Sequence, residues 1–251
     1  MILRRILERN HRMSKVLNTL LLFLLCSSCH STIPPTDNAA VNKDTHEKVL
    51  YSLDFSDTCN VADIKKWFKE QGFEIKRNPS DLDIYHDKGS LVFDTKGQIF
   101  SYILKSDMNI ANAKKLRIIW GVNSFPKNAS YENKIRNEAL MVYVYYGRNF
   151  MDSGSIFIPN SPYFLGLFLS DSDRTGDYYE GRHFKAGGRF VCIGNPKLDE
   201  TVVSEFDLQE GFKKGFGEDK TIPSISGIGL EVETTKTGKA KAFIKKIEIL
   251  G

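Results

Sequence analysis

The chain has 251 residues, of which 41% are hydrophobic, 12% aromatic and 26% charged, with a formal net charge of +4. That surplus is held by residues 1–28, where Arg4, Arg5, Arg9, Arg12 and Lys15 stand against Glu8. Residues 29–251 are therefore neutral, and their summed field gives no reason to expect a nucleic-acid partner.

Met13 reads as the start of translation, and residues 13–29 (MSKVLNTLLLFLLCSSC) have the order of an export signal. Lys15 precedes an apolar run, Leu20 to Leu25, and the small residues Ser27 and Ser28 precede Cys29. The run is shorter than the about 20 apolar residues that span a bilayer. The segment resembles a bacterial lipoprotein signal, which implies cleavage before a lipidated cysteine. Cys29 fits that role; Cys26 follows Phe23, Leu24 and Leu25, which are too bulky beside a cleaved bond. An ordinary signal peptide or an uncleaved anchor is the alternative. The expected organisation is a signal over residues 1–28, a lipidated N-terminus and tether over 29–47, and one domain over 48–251. The tether is polar, with Pro34-Pro35 and no periodicity. His30 stands where aspartate often retains such proteins at the inner membrane. The expected location is thus the bacterial outer membrane, facing the periplasm or the cell surface.

About 200 residues suit a single all-β domain, and strand signals dominate it. Val49, Tyr51, Leu53 and Phe55 share one face, and so do Leu116, Ile118, Trp120 and Val122. Ile228, Leu230 and Val232 alternate with Gly229, Glu231 and Glu233. This period of two marks half-buried strands. Further strands are expected at 73, 90, 99, 139, 163, 189, 201 and 242. Helices are few: Asp63–Gln71, with Ile64, Trp67 and Phe68 at helical spacing, and Leu208–Lys214. The pattern predicts a jelly-roll-like β-sandwich with one or two short helices. Trp67 and Trp120 are expected in its core.

Two strands are apolar on both faces. Leu140, Val142, Val144 and Tyr146 oppose Met141, Tyr143 and Tyr145, while Tyr163, Leu165 and Leu167 oppose Phe164, Gly166 and Phe168. Something covers the second face: a loop (124–138 and 171–187 are long enough), the tether, a partner or a ligand. Exposed tyrosines there would stack on sugars, so Tyr143, Tyr145, Tyr178 and Tyr179 are candidate ligand-binding residues.

The segment FDLQEGFKKGFG (Phe206 to Gly217), followed by Ile222 to Leu250 with its Ile-x-Gly-Ile strand and Thr-Gly turn, resembles the uncharacterised bacterial family known as domain of unknown function 3047. KIRNEALMVYVYYG (Lys134 to Gly147) is similar to an upstream motif of that family. The resemblance implies an exported β-sandwich and lends no activity. Where the family has two aspartates and an asparagine before the Thr-Gly turn, this chain has Glu233, Thr235 and Lys236, and where the family favours an acidic pair it has Asn137-Glu138. The closing strand is also similar to carbohydrate-binding jelly rolls, a likeness of fold and not of function.

The densest polar segment is LSDSDRTGDYYEGRHF, residues 169–184. Asp171, Asp173, Asp177 and Glu180 are oxygen ligands of the kind calcium loops use, around Gly176; Arg182 occupies the position of the closing acid. A calcium loop and a solvated loop both remain open, and no other cofactor is expected. The same acids, with Glu138 and His183, are the candidates for a glycan-cleaving hydrolase or lyase, which needs two carboxyl groups across a groove. No Gly-x-Ser-x-Gly elbow, Walker loop or HExxH occurs. Cys59 and Cys192, the cysteines left after export, can pair or stay as separate thiols.

The expected function is that of a cell-envelope lipoprotein carrying a non-catalytic binding module for carbohydrate. Alternatives are the glycan-cleaving enzyme and a structural lipoprotein that docks an envelope protein. In cells fed a fatty-acid probe, the chain should take up label and Cys29→Ala should abolish it; equal labelling of the variant would remove the lipid assignment.

Overall fold

The structure is a computed structural model that describes residues 47–251 apart from Asn78. Cys29, the signal and the tether up to residue 46 lie outside the described residues. The chain folds as the expected all-β, jelly-roll-like sandwich. Its strands are β1 (Val49–Asp54), β2 (Glu74–Arg77), β3 (Leu82–Asp87), β4 (Ser90–Thr95), β5 (Phe100–Lys105), β6 (Lys115–Ser124) and β7 (Glu138–Met151). There follow β8 (Ser161–Leu169), β9 (Tyr178–Tyr179), β10 (Gly188–Gly194), β11 (Val202–Asp207), β12 (Ile225–Glu233) and β13 (Lys241–Leu250). A 3-10 turn, Phe55–Asn60, and helix α1, Ile64–Glu70, follow β1; helix α2, Leu208–Phe216, follows β11.

The first sheet has the order β11-β6-β13-β4-β3, with β1 also paired to β13. The second has the order β2-β5-β12-β7-β8-β10-β9. The chain crosses between them repeatedly, so the last strand lies beside the first and β8 and β10 run parallel. Alternation places Leu116, Ile118, Trp120 and Val122 of β6 between the sheets, facing Leu140, Val142 and Val144 of β7 and Ile228, Leu230 and Val232 of β12. Trp120 is 1% exposed, and its indole N–H donates to Ser204 Oγ at 3.0 Å, which satisfies the one polar atom it carries inside.

Both helices begin on a capping aspartate, Asp63 and Asp207. Asp63 accepts from the amides of Lys65 and Lys66, and Asp207 from those of Gln209 and Glu210. α1 brings Trp67 and Phe68 against Phe55 and Phe73, with ring centroids 5.3–5.8 Å apart, and so closes one end of the sandwich. α2 runs two residues beyond its expected end at Lys214 and stops at Gly217, whose φ of +125° favours glycine.

The outer faces of the two sheets differ. On the first, Lys115 and Arg117 of β6 bond Glu47 and Glu205, and Arg117 reaches Glu248 of β13. This is an ordinary solvated face. On the second, Met141, Tyr143, Tyr145, Phe164 and Phe168 form a second buried cluster with Tyr131 and Cys192. The glycines of this sheet make room for it. Tyr143 has Gly166 opposite it on β8 and Gly229 opposite it on β12. A Cβ at Gly166 would lie 2.5 Å from Met141 Sδ and 3.1 Å from the ring of Tyr143. Gly166→Ala is expected to lower unfolding stability by about 1–3 kcal/mol. Gly97→Ala, with its nearest neighbour at 3.5 Å, should stay within about 0.5 kcal/mol. Urea denaturation of the two variants checks the contrast.

Candidate functional site

Loops cover the second face. The segment between β6 and β7 lays Tyr131 on Phe168, with rings stacked at 4.3 Å and 26°. The segment between β9 and β10 sets Phe184 edge-on to Phe164 at 5.4 Å. Tyr143 and Tyr145 are accordingly buried, at 5% and 9% exposure. This corrects the expectation that they form an open sugar platform: their rings fill the space between sheet and loop. Tyr145 and Tyr102 bond hydroxyl to hydroxyl, and Tyr143 donates to Glu231 at 2.9 Å. Burial holds the hydroxyls of Tyr131, Tyr143 and Tyr145 far above their usual titration range.

Asp173 pins the covering loop in place. Its carboxylate accepts from Ser130 Oγ (3.0 Å), the amides of Tyr131 (3.1 Å) and Glu132 (3.2 Å), and Ser170 Oγ (3.1 Å). Asn195 supports the same turn through the carbonyls of Ser170 and Asp173. The other acids of the expected calcium loop go elsewhere. Asp171 is exposed, Asp177 pairs with Arg174 at 2.8 Å, and Glu180 lies 3.5 Å from Arg189. These four do not close around a cation, because each oxygen set is drawn to a different neighbour. Cys59 and Cys192 are free thiols: Cys59 is exposed in the 3-10 turn, and Cys192 is buried beneath the outer loops. The alternative of a disulfide is therefore not realised. Burial raises the Cys192 thiol, which leaves it a packing group.

The carboxylates that do converge, among the described residues, are Glu138, Glu231 and Glu233, with one oxygen of each within 4.8 Å of the others. Glu231 and Glu233 are two apart on β12 and share its outer face. Glu138 starts β7, and by simple alternation it would share the inward side of Leu140 and Val142. A bulge changes this: Glu231 pairs with Met141, but Glu233 pairs with Glu138, so one extra residue of β7 sits between them. The slip turns Glu138 outward. Two acids on one face of an otherwise apolar strand were the sequence signal for this cluster; Glu138 was a candidate acid with nothing to join it to them.

The cluster is poorly compensated. Glu138 is 1% exposed; Tyr131 donates to its Oε2 at 2.7 Å, and its Oε1 is buried without a partner. Glu231, 8% exposed, is raised to about 8 by burial and by the charge of Glu233. Burial and the charge of Glu231 raise Glu138 in the same direction. Glu233 is more open; it accepts from Thr235 Oγ1 at 2.7 Å and lies near Lys236. Of the expected hydrolase acids, only Glu138 belongs to this cluster; Asp171, Asp173, Asp177 and Glu180 do not.

Beside the covering loop lies an open cleft of ≈ 750 Å³. Tyr131, Tyr178 and Tyr179 line it, with Lys134, Arg136, Arg182 and Lys185 interleaved. None of these four cations has an ion-pair partner among the described residues; of the acids on the same wall, Asp177 and Glu180 are paired and Glu132 is not. The Tyr179 hydroxyl and Arg136 Nε are buried without partners. Of the four tyrosines expected to bind a ligand, Tyr178 and Tyr179 reach this cleft and Tyr143 and Tyr145 do not. Arg136 and Tyr131 were not singled out in the sequence.

No protein-family model and no curated protein matches the chain. Among solved structures it is similar to a native family 12 xyloglucanase from Bacillus licheniformis, at 8% identity and TM-score 0.41, over 82% of this chain and 99% of that one. It is also similar to a variant of a carbohydrate binding module of family 29, at 9% identity and TM-score 0.33, over 71% of this chain and 81% of that one. Endoglucanase 3 of Trichoderma harzianum is similar at 8% identity and TM-score 0.38, over 72% of this chain and 91% of that one. No residue role passes from these proteins to this chain, and the sandwich assignment rests on its own strand pairing.

A carboxyl whose pKa rises on folding stabilises the fold below its unfolded value and loses that contribution as pH climbs to the folded one. With Glu231 raised from 4.5 to about 8, stability in chelator should fall as pH rises through that interval. Glu231→Gln, which keeps an acceptor for Tyr143, should flatten the fall. Urea midpoints across the range measure it, and parallel curves for the two proteins would contradict the assignment.

Proposed function

We propose that this protein is a non-catalytic carbohydrate-binding sandwich of the cell envelope, and that the cleft bounded by Tyr131, Tyr178 and Tyr179 takes an acidic saccharide. The observation that carries the reading is the combination of tyrosines with unpaired cations in one open cleft. Tyrosine offers an apolar ring for the face of a sugar and a hydroxyl at its edge. Arg136 and Arg182 can meet a carboxylate or sulfate in a bidentate manner, while Lys134 and Lys185 add charge at the rim. The expected export signal ending at Cys29 supports placement on a membrane by lipid.

In affinity electrophoresis, polygalacturonate or alginate should retard the protein and neutral cellulose derivatives should not. Tyr179→Ala and Arg136→Ala should each weaken retardation about tenfold or more, as the loss of one stacking or charge-assisted contact would. Equal retardation by neutral and acidic polymers would remove the charge argument, and no retardation by any polymer would remove the reading.

A further inference from the structure

Glu138, Glu231 and Glu233 lie under Tyr131, where water is largely excluded. Carboxylates so close together repel one another, and the low dielectric around them strengthens the repulsion. Neither Glu138 nor Glu231 forms an ion pair among the described residues. Buried charges in proteins are paired or coordinate metals. Unless it takes up protons, the cluster needs a positive charge beyond that of Lys236, which bears on Glu233.

The geometry points to a hard divalent cation, of the calcium, manganese or magnesium class, held by Glu138, Glu231 and Glu233. Three carboxylates supply oxygen only, which selects hard cations over zinc or copper. The donors are fixed: two sit at alternate positions of β12, and the third is turned toward them by the bulge in β7. Glu138 Oε1, buried and without a partner, is an empty lone pair in the cluster. One oxygen of each carboxylate is held by an outer partner: Tyr131 fixes Glu138 Oε2, Tyr143 fixes Glu231 Oε1 and Thr235 fixes Glu233 Oε1. Such supports orient ligands in metal sites. This site differs from the calcium loop expected from Asp171, Asp173, Asp177 and Glu180, whose carboxylates are dispersed. It also stands apart from the glycan reading, since it would organise the sheet beneath Tyr131 whether or not a sugar enters the cleft.

The test uses the full-length chain, stripped with chelator and then dialysed separately against calcium, manganese and magnesium chloride. Elemental analysis of the dialysed protein should find one cation per chain with at least one of the salts. That salt should raise the melting temperature by about 5 °C or more at a hundredfold excess over its dissociation constant. The double variant Glu138→Gln, Glu231→Gln should bind none and show no rise, while Asp171→Asn should bind as the parent does. If the double variant does not fold, Glu233→Gln, at the more open edge, takes its place with the same expectation. No bound cation from any salt, or undiminished binding by the glutamine variants, would overturn the site. Acidic polymer retardation is read on the same preparations, so loss of the cation site and loss of the glycan reading are told apart.

Discussion

A sheet that is apolar on both faces has to be covered twice, and the outer architecture of this protein depends on that constraint. The inner face of the seven-stranded sheet is buried by the opposing sheet, as in any sandwich. Its outer face carries Met141, Tyr143, Tyr145, Phe164 and Phe168, too much apolar surface to leave in water. The loop before β7 folds back over it and contributes Tyr131. A loop in that position has polar backbone to satisfy, and the Asp173 carboxylate does so by taking two of its amides and a serine hydroxyl.

The covering has an electrostatic consequence. By bringing Tyr131 over the end of β7, it removes Glu138 from water together with Glu231. Acids at those strand positions would be unremarkable on the other sheet, where Glu205 and Glu248 meet Arg117 and lie below their usual range. Here burial raises them instead. The contrast comes from the neighbours and not from the residues: one face supplies guanidinium and ammonium groups, the other tyrosine hydroxyls.

The covering also shapes the cleft. Tyr131 contributes to the buried aromatic cluster and to the wall on which Tyr179 and Arg136 sit. The loop therefore links the packed interior of the outer face to an open surface with unpaired cations. Ligand contact at that wall and charge compensation beneath it would act on the same segment, which Asp173 fastens to the turn after β8.

The sequence alone determined the architecture, because alternation at a period of two is a local property that survives tertiary folding. It placed Trp120 and Leu116 inward, set Tyr143 on the face opposite Val142, and located both helices. It also raised the prospect that a loop lies over the aromatic face. It could not choose the loop, since the pairing of Asp173 with Ser130 spans more than forty positions and has no local signature. Glu138 was legible as an acid near a strand, but a one-residue bulge decided which way it points, and alternation assigns it the wrong face. Glu231 and Glu233 were legible as outward residues; that outward here means buried was decided by the loop above them. Charge placement depends on distances between strands far apart in the chain, so only the tertiary structure could set the carboxylates together and disperse the acids of residues 171–180.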